Sequence, residues 1–131
     1  MTYQGQPVPT TYTPVARAKV SDGKSVRVPI PQSTTVTAET LVLLSGFFGV
    51  AKQTVVTGAG ETSEVILDIE QAEFETNQIT VSQNFTVGTL IYWDDTAKKL
   101  TETATANRLV GRVTNAKDAN NVIWFLLGPQ I

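Results

Sequence analysis

Glu61, Glu64, Asp68, Glu70, Glu73 and Glu75 form the densest set of groups in this chain that could move protons. Two such carboxylates can cleave a glycosidic bond when one holds a proton and the other acts as base or nucleophile. At strand spacing several of them share one face, and a solvated outer face explains the cluster more simply. Asp94-Asp95 could bind a hard cation together with loop carbonyls. The stretch lacks the alternating ligands and the glycine of a calcium loop, so a capped hairpin turn is the better reading. The chain has no histidine and no cysteine. That removes the commonest general base and metal ligand, and every Ser-His-Asp or Cys-His arrangement.

Phosphate chemistry fares no better. A phosphate loop needs Gly-x-x-x-x-Gly-Lys-Ser/Thr, so that backbone amides and a lysine meet the phosphates. Gly58-Ala59-Gly60-Glu61-Thr62 puts an acid where the lysine belongs, and Gly46–Lys52 has the lysine with the wrong glycine spacing. Nucleic-acid binding calls for a basic stripe interleaved with aromatics, and the residues that could form one are few. Asn84-Phe85-Thr86 fits a glycosylation acceptor, but nothing points to a secretory route. The expectation is a protein that is not an enzyme, with no cofactor, no metal and no nucleic acid.

The elements that must position any site are those of one domain, which 131 residues suit. Hydrophobic residues make up 41% and charged residues 17%, the latter low against about 25% for soluble domains. A low-charge surface fits a chain that spends its life against a partner. No apolar run is long enough for a transmembrane helix, and the polar, proline-bearing start does not read as a signal peptide. Charge is unevenly placed. Residues 1–36 carry Arg17, Lys19, Lys24 and Arg27 against Asp22, a net of +3, while residues 37–131 carry six basic and eleven acidic groups, a net of −5. A basic arm on an acidic body suits an arm that reaches for an acidic surface.

Residues 1–20 read as that extended arm, because Pro7, Pro9 and Pro14 lock φ and remove donors. Tyr3, Tyr12 and Val15 are too widely spaced to build a core there. Residues 21–131 read as a β-rich body. In Lys24–Ile30, Val26, Val28 and Ile30 alternate with Ser25 and Arg27, and Pro29 marks an edge. Leu41–Leu44 is a short apolar strand that Ser45-Gly46 turns into Phe47–Ala51. Gly49 there marks a bulge or tight bend, and Gln53–Val56 extends the strand. Glu64–Phe74 alternates most strongly. Ala72 and Phe74 fall out of phase with Val65, Leu67 and Ile69, so a bulge is expected near Gln71.

Ile79–Val81 and Phe85–Val87 flank Gln83-Asn84 as a short strand and its turn. Residues 88–113 read as three strands, the first two joined by the polar turn Asp94–Lys99. Val122–Leu127 is a continuous apolar run, expected as a buried strand, and Phe47, Phe48, Trp93 and Trp124 are expected in the core. The chain's twenty threonines suit strands, and no segment keeps a helical period. The expected fold is all-β, a small barrel or sandwich of about eight short strands with an extended N-terminal arm.

Three blocks carry a resemblance. Gly46-Phe47-Phe48-Gly49-Val50-Ala51 is similar to a glycine-aromatic-Gly-Val-Ala block. Gly88, Tyr92, Trp93, Asp94, Lys99, Leu100 and Thr101 fit a Gly-x-x-x-Tyr-Trp-Asp…Lys-Leu-Thr hairpin. Asn107–Val113, with Gly111, fits a closing strand. Together they resemble the small capsid cement, or head decoration, proteins of tailed bacteriophages. The chain departs from that pattern at Ala38-Glu39-Thr40, where a glycine turn is usual, and at Thr89, where an acid commonly follows the glycine. Residues 1–20 extend beyond it.

The resemblance implies a structural virion protein, made in the bacterial host cytoplasm and placed on the outer surface of the capsid. There it would bridge subunits of the major capsid protein. Its partners would be that protein and neighbouring copies of itself, a trimer among the arrangements, with neither nucleic acid nor membrane. The arm residues Tyr3, Tyr12, Val15, Arg17, Lys19, Lys24 and Arg27 are the candidate capsid contacts. Two alternatives stay open: another virion joining or tail β-barrel module, and a carbohydrate-binding β-sandwich. An aromatic strip on an exposed sheet face would favour sugar binding.

Overall fold

The computed structural model describes residues 19–131. Among them there is no helix. Eleven short strands run in order: β1 (Ser25–Ile30), β2 (Thr35–Val36), β3 (Leu41–Leu44), β4 (Phe47–Ala51), β5 (Val55–Val56), β6 (Ser63–Asp68), β7 (Glu73–Thr76), β8 (Leu90–Asp94), β9 (Lys99–Thr101), β10 (Arg108–Asn115) and β11 (Ile123–Leu127). They make a four-stranded sheet ordered β1-β6-β4-β3, a five-stranded sheet ordered β7-β11-β10-β8-β9, and a two-stranded ribbon, β2-β5. Every strand pair is antiparallel. The all-β expectation therefore holds, as a sandwich-like body.

The β3–β4 hairpin explains the arrangement. Its turn has Ser45 at φ 49° and Gly46 at φ 87°, the double positive φ of a two-residue type I′ turn that matches strand twist. Leu41, Leu43, Phe48 and Val50 pack on one side, into the core under the five-stranded sheet with Trp93, Phe125 and Ile91. Val42, Leu44 and Ala51 pack on the other, with Val28, Val65 and Leu67. Both faces are covered, which is why LVLL is uniformly apolar instead of alternating. One hairpin is thus the wall between two cores.

Four expectations are corrected. Gln53–Val56 does not extend β4: the chain bends at Lys52–Gln53, and Val55–Val56 pairs with Thr35–Val36 in the separate ribbon. Glu64–Phe74 is not one bulged strand. After β6 the chain turns tightly, Ala72 N donating to Glu70 O at 2.7 Å, and Phe74 joins the other sheet beside Phe125. The phase break at Gln71 marks a crossing between sheets. Ile79 makes only an isolated bridge to Leu100, and 79–88 is a loop whose buried Ile79 and Phe85 plug the core. Last, β11 alternates: Ile123, Phe125 and Leu127 face inward, while Trp124 and Leu126 stand on the outer face, 44% and 47% exposed. Phe47, at 37%, also lies outside the core, whereas Phe48 and Trp93 are fully buried.

Candidate functional site

The motif residues converge on the scaffold. Trp93 sits in the core with its ring centroid 5.0 Å from that of Phe48, and its Nε1 donates to Asp95 Oδ1 at 3.0 Å. Asp94 Oδ1 accepts from the backbone N–H groups of Thr96 and Ala97 at 3.0 and 3.1 Å, closing the four-residue loop onto Lys99. Lys99 is exposed, and Tyr92 is half-buried on the outer face opposite Thr101 and Leu109.

The glycines serve the backbone. Gly88 has φ 90° in the turn Thr86–Thr89, closed by Thr89 N donating to Thr86 O at 3.1 Å, where a type II turn needs glycine. Gly49 and Gly111 lie where a side chain would strike the carbonyl oxygens of Asp68 and Leu126. At Gly111 the cause is a bulge in β10 against β8, which brings the backbone close to β11.

Most of the candidate carboxylates are engaged locally. Asp95 Oδ1 also receives Lys98 Nζ at 2.8 Å. Partial desolvation acts to raise the Asp95 pKa, but the hydrogen bonds from Lys98 and Trp93 and the charge of Lys98 outweigh it and hold it below the ordinary carboxylate value. Glu64 pairs with Arg27 and Glu70 with Lys24, both at 3.8 Å. Glu61 accepts Gly58 N–H, and Glu73 accepts the Thr114 hydroxyl. No cluster of metal-ligating side chains occurs among the described residues.

Of the candidate capsid contacts, Tyr3, Tyr12, Val15 and Arg17 lie outside the described residues. Lys19 is exposed and pairs with Asp22 at 2.7 Å. Lys24 and Arg27 are exposed beside β6 and the turn that follows it. β1 is the outermost strand of its sheet, so the chain passes from the arm into a strand that pairs, among the described residues, only with β6.

A feature that sequence reasoning missed lies on the outer face of the five-stranded sheet. Leu90, Leu109 and Leu126, from the adjacent strands β8, β10 and β11, are 38–52% exposed and line an open groove of about 630 Å³. Arg108, Arg112, Gln71, Pro129 and Gln130 also line it. Trp124 stands further along the same face of β11, and the outward Glu73 and Glu75 of β7 lie opposite Leu126 and Trp124. Period two in β10 and β11 could have flagged these leucines, but the β10 bulge and the unbroken apolar run of β11 hide it.

A β body whose motif glycines and Asp94 support backbone turns and close strand contacts, with exposed leucines and two arginines on one sheet face, offers a surface to bind. The phage cement protein family matches residues 20–127, and the chain belongs to that family. It is a structural, capsid-associated protein of the virion. No curated protein and no solved structure matches it. No helix among the described residues is long and apolar enough to cross a membrane.

Proposed function

We propose that this protein docks on the outer surface of a phage head and bridges neighbouring subunits of the major capsid protein, the body resting on one subunit and the arm reaching another. The observation that carries this reading is the family match, which spans the body and leaves residues 1–19 outside it. On this reading the arm reaches out from the cement-type body. Its 20 residues, fully extended, reach roughly 70 Å at most. Two linked contacts of modest strength bind far more tightly than either alone.

Exposed ion pairs contribute only about 0–1 kcal/mol each, so Arg17, Lys19, Lys24 and Arg27 orient the arm more than they hold it. Backbone pairing with a capsid strand, with Tyr3, Tyr12 and Val15 filling pockets, is the stronger source. Copies meet on the shell around shared symmetry axes, with trimers as the simplest arrangement. Sugar binding is disfavoured, because Trp124 and the half-buried Tyr92 are separated by β10 on the sheet face and form no aromatic strip.

The test is decoration of capsids lacking the protein, imaged by cryo-electron microscopy with the full chain and with a chain lacking residues 1–20. Density that spans two subunits with the full chain, and lower occupancy for the truncated chain at limiting concentration, is expected. Density confined to one subunit overturns the bridging reading.

A further inference from the structure

We propose that in solution two copies of this chain pair face to face through the outer side of the five-stranded sheet, about a two-fold axis that runs along β10. This goes beyond docking on a shell and does not rest on it. β10 is the middle strand of that sheet, with β11 and β8 beside it. Leu126, Arg112 and Leu90 stand in one row across these three strands. Leu90, Leu109 and Leu126 are exposed. Apolar side chains grouped on one face mark an interaction surface, and the cation between two of them asks for a partner with charge as well.

The row is balanced about β10, with a leucine one strand to either side of Arg112. A half-turn about an axis along β10, midway between two facing sheets, lays β11 of one copy over β8 of the other. Leu126 then meets the second copy's Leu90, and Leu90 its Leu126. Leu109, on β10 itself, meets its own counterpart. Such self-complementarity is what a two-fold contact requires. The strands of the two copies stay aligned, the usual geometry of sheets packed about 10 Å apart.

The charges obey the same symmetry. Arg112 Nη1 donates to Gly88 O at 2.7 Å, which holds the guanidinium on the β8 side of β10. Glu73 reaches from β7 across β11, and its Oε2 accepts the Thr114 hydroxyl at 2.6 Å, which holds the carboxylate on the β11 side. Gly88 N donates to Val113 O at 2.9 Å, so Gly88 and Thr114 lie at nearly one level along the strands. The half-turn therefore carries Glu73 of each copy onto Arg112 of the other. Among the described residues no carboxylate pairs with Arg112. Arg108, the other cation of the groove, is engaged by the carbonyls of Gly46 and Gln130. A uniformly acidic partner would be repelled by Glu73 and Glu75, and a basic one by Arg112. A surface that carries both signs in matching order satisfies both, and a second copy is such a surface.

The test is sedimentation velocity of the full-length chain over a concentration series. A reversible monomer–dimer equilibrium is expected. Glu73→Arg alone and Arg112→Glu alone each put two like-charge pairs into the contact and should weaken the dimer about tenfold or more. An equimolar mixture of these two variants should dimerise again, because both pairs then join opposite charges. A folding defect cannot imitate that recovery. Leu109→Asp, at the axis, should abolish the dimer, and circular dichroism checks that each variant keeps its sheet spectrum. A chain that is monomeric at every concentration, a trimer, a dimer that survives any of the three substitutions, or a mixture that stays monomeric would each overturn the proposal.

Discussion

Gln130 holds both backbone polar groups of Phe48, accepting from its N–H at 2.9 Å and donating to its carbonyl at 3.0 Å. The pairing of β3 with β4 explains the need. Leu44 and Phe47 flank the two-residue turn as a hydrogen-bonded pair, so the next pair, Leu43 and Phe48, is non-hydrogen-bonded and Phe48 points its polar groups away from β3. β6 meets β4 only at Val50 and Ala51, so it cannot receive them. Gln78 does the same for Leu41 at 2.9 and 3.0 Å. Two side-chain amides thus stand in for missing strand partners. Gln130→Ala should cost about 1–3 kcal/mol by leaving both groups of Phe48 unsatisfied. Urea unfolding would show this as a lower midpoint with an unchanged slope. Gln130→Glu keeps the acceptor but faces the Phe48 carbonyl with a charge, and it should not restore stability.

The glycines should rank by what surrounds them. Gly46 has open space at its missing side chain and only its φ of 87° to protect, so Gly46→Ala should cost roughly 1–2 kcal/mol. Gly111→Ala drives a methyl onto the Leu126 carbonyl and the Phe125 ring. Backbone cannot yield as a side chain does, so the loss should exceed that of Gly46→Ala and include altered β10–β11 amide shifts. Equal losses in thermal unfolding would contradict the close approach.

The two tryptophans should separate cleanly. Trp93 is buried against Phe48, and Trp93→Ala should cost about 3–5 kcal/mol. Trp124 is half-exposed, and Trp124→Ala should change stability by about 0.5 kcal/mol or less. In the Trp124→Phe chain the remaining emission should be blue-shifted and shielded from acrylamide. In the Trp93→Phe chain it should be red-shifted and more open to quenching.

Asp95 sets a small acid dependence. Its folded pKa lies below the ordinary value because Lys98 and Trp93 favour the charged form over the desolvation that opposes it. A depressed carboxylate contributes stability above its unfolded pKa, about 3.9, and that contribution disappears as pH falls through the lower folded value. Asp95→Asn should therefore be slightly less stable at neutral pH and lose less on acidification. Because the group is largely open to solvent, screening keeps the effect small, and high salt should shrink it further.

The body should fold without residues 1–20. The first strand begins at Ser25, and among the described residues Val28 is the first that is buried in a core. Deleting 1–20 should leave a single cooperative thermal transition by circular dichroism with a sheet spectrum. Loss of cooperativity would make the arm part of the fold.

Much of this was legible in one dimension. Period two in Ser25–Ile30 and Leu90–Asp94, turn chemistry at Ser45-Gly46 and Asp94–Lys99, and the absence of a helical period are local properties, and local backbone preference determines them. The glycine and hairpin pattern was enough to suggest the family. What the sequence could not settle is which side of a strand is covered and by what. VIWFLL is apolar at every position, and only the packing of Ile123, Phe125 and Leu127 on the β3–β4 hairpin decided that Trp124 and Leu126 face solvent. Glu64–Phe74 alternates as one strand would, yet its two halves sit in different sheets, because the partners of Phe74 come from β11, near the far end of the chain. The amide of Gln130 finds Phe48 across 82 residues of sequence. Such contacts arise from the shape of the assembled sheets, so they and the outer groove belong to the tertiary structure alone.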